Sequence, residues 1–311
     1  MATIAWLGPW LRRHDTKLLA ASPLIGLLWQ DLAGVLRSAV PVLAAVSILL
    51  SCVRMDWGML GSHLRRPARA ALSVAWILIA MPLVMFVIAV PWLPIGSPLL
   101  TGLVLNAAAP SIMAAPAFAL IIGIEPTLAM VVSVASTALA PVTVPAAMGI
   151  LELGALDIPA SNLLVRLLLF VTFVVLGAWT VKRLAGQAKI TRHGTLFEAA
   201  FVTAMCGLII GIMDGVTAVL LTDPLKMALY VFLAFCANLG MQIAGGLAAW
   251  WRDRQFGLVL ALLSGNRNMA MILAVIIDVA DRDLVLFVIC CQFPCYVLPL
   301  FMRPLIRRLR S

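Results

Sequence analysis

The stretch LLSGNRNMAM, residues 262–271, sets Asn266, Arg267 and Asn268 directly after Gly265, inside an apolar run long enough to cross a bilayer. A charged side chain at the bilayer centre costs at least a few kcal/mol, so such a residue faces protein or water and is functional by default. A guanidinium is always protonated and donates several hydrogen bonds in a fixed fork. It can hold an anion, replace a bound cation, or simply fix a helix crossing. The flanking amides both donate and accept. No acidic residue is placed clearly at that depth, and Asp278 on the same helix lies roughly 16 Å further along.

Other polar residues fall inside apolar runs. Ser111 follows Pro110 in NAAAPSIMAAPAF, where a half-helix N-terminus favours anions. Ser133, Ser136 and Thr137 stand at i, i+3 and i+4 and share a helix face. That face either lines a cavity or packs closely against another helix. Asn238 and Gln242, four apart, are expected to bond to a neighbouring helix, whereas Arg166 and Asp214 are expected to reach for the outer interface.

The elements that must position these residues are membrane spans. The 311-residue chain is 64% hydrophobic and 11% charged, with a mean hydropathy of +1.11, where a soluble domain is about half apolar and about a quarter charged. No cleavable signal peptide is expected, because the charges in MATIAWLGPWLRRHDTK follow its apolar patch. Residues 1–17 read as an amphipathic lead-in. Net charge +9 comes from basic residues spread through loops, which speaks for topology rather than a nucleic-acid partner. The six cysteines lack metal-site spacing, and His14, His63 and His193 all fall in loops. With no paired carboxylates mid-membrane either, no enzyme, metal or cofactor is expected.

With about 20 apolar residues per span, ten spans follow: 18–36, 38–54, 69–91, 98–122, 126–151, 160–181, 196–216, 224–250, 256–280 and 283–302. Basic residues flank alternate loops: Arg12, Arg13 and Lys17; Arg54, Arg65, Arg66 and Arg69; Lys182, Arg183, Lys189 and Arg192; Arg252 and Arg254; and Arg303 to Arg310. The positive-inside rule puts both termini in the cytoplasm of a multi-pass protein of the plasma or bacterial inner membrane. The breakers add a symmetry. Pro110 and Pro116 interrupt the fourth span, and Gly265 interrupts the ninth. These are the fourth members of two five-span halves, 18–151 and 160–303, followed by a basic tail, 304–311. Paired interrupted helices in two inverted halves are the best sequence pointer to a secondary transporter's binding site.

VPVLAAVSILLSCVRMDW and HLRRP resemble the second span and following loop of the bile acid:sodium symporter family. WILIAMPLVMF resembles its third span, AAAPSIMAAPAF and IEPTLAMVVSVASTALAPVTVP its fourth and fifth, and SGNRNMAMILAV its ninth-span motif. The resemblance implies an all-α membrane fold of ten helices in two inverted five-helix repeats. Broken helices 4 and 9 would cross in a core domain (spans 3–5 and 8–10) that moves against a panel domain (spans 1, 2, 6 and 7). It also implies organic anion substrates, usually driven by two sodium ions. By the same resemblance Asn268 and Gln292 face substrate, while Asn266 serves equally well as a backbone cap.

At the family's sodium ligands this sequence departs. The ninth-span acid falls on Leu263 and a glutamine on Arg267; the fourth-span serine–asparagine pair falls on Ala115 and Pro116. Two fifth-span hydroxyls fall on Ala129 and Ser133, and a third-span glutamine on Ile77. Hard cations need several oxygen ligands, and of these positions only Ser133 keeps one. The expected function is therefore alternating-access transport of small carboxylates or amphipathic acids without sodium, with Arg267 as a tethered cation. Substrate contacts are expected from Arg267, Asn268, Asn266, Ser111, Pro116, Ser133, Ser136, Thr137 and Gln292. The alternatives are a sodium-coupled symporter and a non-transporting membrane sensor. Besides substrate, the only partner expected is membrane lipid.

Overall fold

The computed structural model describes residues 17–19, 21–55, 67–154, 158–295 and 297–298. The expected lead-in (but for its last residue), the loop carrying Arg65 and Arg66, the end of the tenth span and the basic tail lie outside the described residues. The described chain is all-helical: α1 (Gln30–Arg37), α2 (Val40–Arg54), α3 (Pro67–Ala75), a π-helical turn (Trp76–Ala80), α4 (Met81–Ala89), α5 (Pro98–Ala108), α6 (Ala115–Ile122), α7 (Pro126–Ile150), α8 (Ala160–Arg192), α9 (Gly194–Ile212), α10 (Val216–Thr222), α11 (Pro224–Trp250), α12 (Arg254–Gly265), α13 (Met269–Ile276) and α14 (Arg282–Cys290).

Five of these helical runs are long and apolar enough to cross a membrane, or six if the bent pair ending in α1 is one span. Two of the ten expected spans, the fourth and the ninth, are not among them. α5 and α12 are each cut short by a break, so neither half alone reaches the roughly 20 residues that a bilayer needs. Local chemistry sets several of the ends. Ser97 accepts from Leu100 N at the start of α5, and Asp253 accepts from Gln255 N and Phe256 N at the start of α12, as N-caps do. α8 is interrupted at Gly186, whose φ of +73° an L side chain rarely adopts. α8 also keeps Leu168, Leu169, Phe173, Leu176 and Trp179 exposed, an apolar surface suited to lipid.

The chain divides into two compact units. One holds residues up to 55 and 169–227; the other holds 56–168 and 228–311. The first contains α1, α2, most of α8, α9 and α10, and the second contains α3 to α7 and nearly all of α11 to α14. In the first unit α9 packs on α1 and α2, and ion pairs Arg37–Asp214 and Arg54–Glu198, both 3.2 Å, close its ends. Asp214, expected to reach for the outer interface, pairs there with Arg37. Lys182 Nζ donates to Met55 O at 2.6 Å. In the second unit α7 packs on α3, α5, α6 and α12. Arg69 pairs with Asp253 at 2.8 Å, and the exposed Arg166 donates to Val275 O at 3.2 Å.

Candidate functional site

The second unit brings its two helix breaks together. Residues 109–114 separate α5 from α6, and residues 266–268 separate α12 from α13. An antiparallel bridge joins Ser111 to Arg267: Ile112 N donates to Asn266 O at 2.9 Å and Asn268 N to Pro110 O at 2.8 Å. Non-helical backbone at membrane depth is tolerated only when its polar groups are satisfied within protein or by water. Here each break supplies partners to the other.

Side chains from α7 complete the accounting. Ser136 Oγ accepts from Ser111 N at 3.2 Å and donates to Ser133 O, also at 3.2 Å. Ser133 Oγ donates to Ile112 O at 3.1 Å, and Thr137 Oγ1 donates to Ser133 O at 2.8 Å. Ser111 Oγ donates to Asn266 O at 3.4 Å. The shared face of α7 therefore holds the first break. From α11, Asn238 Nδ2 reaches Gly265 O at 2.7 Å, with Gln242 Nε2 donating to Asn238 Oδ1 at 2.6 Å. That contact needs Gly265, since a Cβ there would sit 2.8 Å from Asn238 O.

Arg267 is 1% exposed and bridges three segments. Its Nε donates to Ser264 O at 2.7 Å, and its Nη1 donates to Ala109 O at 3.0 Å and Ile77 O at 3.3 Å. Each carbonyl has lost its helical donor. Asn268 N, which would bond Ser264 O four residues back, is turned to Pro110 O. Ala109 is the C-cap of α5 and the first residue of the break. Ile77 lies in the π-helical turn, where Met81 N bonds Trp76 O instead. The next donor in line belongs to Pro82, which has no N–H. Three freed carbonyls thus converge, and one guanidinium satisfies them.

The positions that the resemblance assigns to sodium ligands meet as apolar packing. Ile77, Ala115, Ala129 and Leu263 are buried in one hydrophobic cluster. Pro116 is half-buried on the first turn of α6. Arg267, Asn268 and Gln292 instead line a cavity of about 20 Å³ with Ile112, Met269, Ala270 and Cys295. Asn268 Oδ1 accepts from Met271 N at 3.3 Å and so caps α13; Asn266 Nδ2 bonds back to Leu262 O at 2.8 Å. Ser111, Ser133, Ser136 and Thr137 do not line this cavity. Sequence reasoning missed Trp76, whose Nε1 donates to Ser264 Oγ at 3.2 Å, and Cys295, whose Sγ lies 3.9 Å from Arg267 O. It also missed the Ile77 carbonyl, because Pro82 frees that oxygen only where the π-helical turn shifts the pairing by one residue. A separate groove of about 400 Å³, lined largely by apolar residues of α4 and α11, holds none of the expected site residues.

No curated protein matches the chain. The family model described as the Sodium Bile acid symporter family matches residues 40–223, more than half of the chain, and stops before α11.

Proposed function

Because the chain belongs to the sodium bile acid symporter family, and is therefore a multi-pass membrane transporter rather than an enzyme, we propose that it carries organic anions by alternating access without sodium. In this reading Arg267 stands where the family binds a cation. One observation carries it: the guanidinium bonds three carbonyls freed by the π-helical turn and both helix breaks. Backbone carbonyls are the oxygens that a hard cation would take. A covalently held guanidinium satisfies them but cannot leave with substrate, so it cannot couple transport to an ion gradient. The apolar side chains of Ile77, Ala115, Ala129 and Leu263 offer sodium no oxygen, and Ser133 Oγ is bonded to Ile112 O. Flux would then run as uniport or exchange, or be driven by protons or membrane potential.

The same reading takes the chain as ten spans in two inverted halves with both termini cytoplasmic. It is supported by pairs that join chain-distant points assigned to one side. Arg69 with Asp253, and Arg54 with Glu198, fall at expected cytoplasmic ends; Arg37 with Asp214 falls at expected outer ends. The substrate anion is assigned to Arg267, Asn268 and Gln292. The remaining polar candidates act by holding the breaks.

The test is thermal unfolding of the purified protein with sodium titrated against choline at constant ionic strength. A ligand that binds only the folded state raises stability with the logarithm of its concentration once saturating. Native protein should show no sodium-specific shift, whereas Arg267→Gln combined with Leu263→Glu should gain one. A saturable sodium shift in the native protein would return it to the sodium symporters.

A further inference from the structure

We infer that the first unit carries a docking surface for anionic phospholipid headgroups where α8 leaves the bilayer. α8 is long and apolar enough to span a membrane, and about 20 residues suffice for that. Counted from Ala160, that length ends near Trp179. Trp179 is exposed, as tryptophans at a membrane interface are. The basic residues begin directly after it. Lys182, Arg183, Lys189 and Arg192 follow, and residues 158–197 contain no acid. Lys182 is turned inward, with its Nζ on Met55 O at 2.6 Å. Arg183, Lys189 and Arg192 are all exposed and form the surface.

Local structure holds the three outward. Arg183 lies over the Trp179 ring, its Cζ 5.0 Å from the centroid. Stacking of this kind leaves the N–H edge of the guanidinium free for phosphate oxygens. Gly186, with φ +73° and ψ 150°, then breaks α8. Beyond it Ile190 is buried, while Lys189, Thr191 and Arg192 around it are exposed. Lys189 and Arg192, three apart on a helix, share a face. Among the described residues none of the three basic side chains makes an ion pair. Glu198, the next acid along the chain, is paired with Arg54 at 3.2 Å. The surface is therefore positive without compensation, the complement of an anionic leaflet, which attracts each Lys or Arg held near it. Apolar neighbours select the ligand class. Leu184 directly follows Arg183, Leu196 lies four residues after Arg192, and both are exposed. Inorganic phosphate offers these leucines nothing. A phospholipid offers them its chains and offers the cations its phosphate.

The inference needs neither the substrate nor the ion of transport, and its test avoids both. Purified full-length protein, stripped of lipid in a neutral detergent, is titrated in sodium-free choline buffer. The ligands are dioleoylphosphatidylglycerol, dioleoylphosphatidylcholine and inorganic phosphate. A ligand that binds only the folded state raises the melting temperature. Phosphatidylglycerol should do so saturably, and native mass spectrometry should find it retained on the protein. Phosphatidylcholine and inorganic phosphate should give neither result. Arg183→Gln with Arg192→Gln should weaken phosphatidylglycerol by about fivefold per charge removed, whereas Arg183→Lys with Arg192→Lys should keep most of the binding. Arg252→Gln with Arg254→Gln removes the same charge from the second unit and should leave the binding unchanged. All four positions are exposed, so without lipid each variant should melt with the native protein. Equal shifts from the two lipids, a shift from inorganic phosphate, or equal losses in the two glutamine pairs would each overturn the inference. So would a phosphatidylglycerol shift that survives Arg183→Gln with Arg192→Gln. Failure here leaves the sodium titration untouched, and a sodium shift in the native protein leaves this surface standing.

Discussion

At Arg267 the shape of the guanidinium matters as much as its charge. Three acceptors on three segments are met by two nitrogens of one planar group. A lysine keeps the charge but presents one compact ammonium on a flexible stem, so it cannot span them. Arg267→Lys and Arg267→Met should therefore both destabilise the protein, each leaving at least one buried carbonyl unpaired at about 1–3 kcal/mol apiece. Thermal unfolding compared with the native protein measures it. A lysine variant as stable as the native chain would show that the carbonyls need no bridge. The sequence placed Arg267 at a helix break and suggested donation to exposed carbonyls. What it could not give was which carbonyls, because Ile77 and Ala109 lie 190 and 158 residues away.

At the scale of elements, the breaks were legible because Pro110, Pro116 and Gly265 interrupt apolar runs that should otherwise be continuous. The bounds of α11, Pro224–Trp250, and the near-match of α7, Pro126–Ile150, follow from the same apolar patterning. The role of Ser133, Ser136 and Thr137 was left between two readings, since a shared face says nothing of what it meets. In the structure it meets the backbone of the first break. The π-helical turn was not legible at all, because WILIA carries no composition that separates it from an ordinary turn. Close approach of α11 to α12 gives a contrast within one residue type. A Cβ at Gly265 meets Asn238 O at 2.8 Å and Asn238 Oδ1 at 2.9 Å, whereas a Cβ at Gly240 meets nothing within 4 Å. Gly265→Ala should lower the melting temperature and loosen the second break. Gly240→Ala should hold or raise it, by up to about 1 kcal/mol of helix propensity. Matching effects from the two substitutions would mean that α11 does not crowd α12.

For the molecule as a whole, composition fixed the class and the basic residues fixed an expected sidedness, because both are sums over many positions. The division into two units is a different matter. The first unit joins residues up to 55 with 169–227, and no pattern along the chain announces that. Long-range pairs hold these units, and one of them titrates. Burial pushes the Asp253 carboxyl up, but the Phe256 N–H, the Arg69 hydrogen bond and charge, and the Gln255 N–H together hold it below the usual carboxylate value. Its contribution is present above the unfolded value, near pH 4, and is lost as pH falls through the depressed folded value. For a pair this exposed the gain is about 1 kcal/mol or less. Unfolding of native protein and Asp253→Asn should differ at neutral pH, begin to converge near pH 4 and meet once the pH lies below the depressed folded value; a gap that persists in acid would refute the link.

The mutual pairing of the two breaks also sets a timetable for synthesis. Ser111 Oγ bonds a carbonyl 155 residues later in the chain, and Pro110 O and Ile112 N wait for the same late segment. At about 5–20 residues per second, the ribosome needs roughly 10–30 s to make it. Throughout that interval the earlier break lacks the partners that its bridging groups have in the folded chain. Only when the later break arrives can Pro110 O and Ile112 N be paired within the protein.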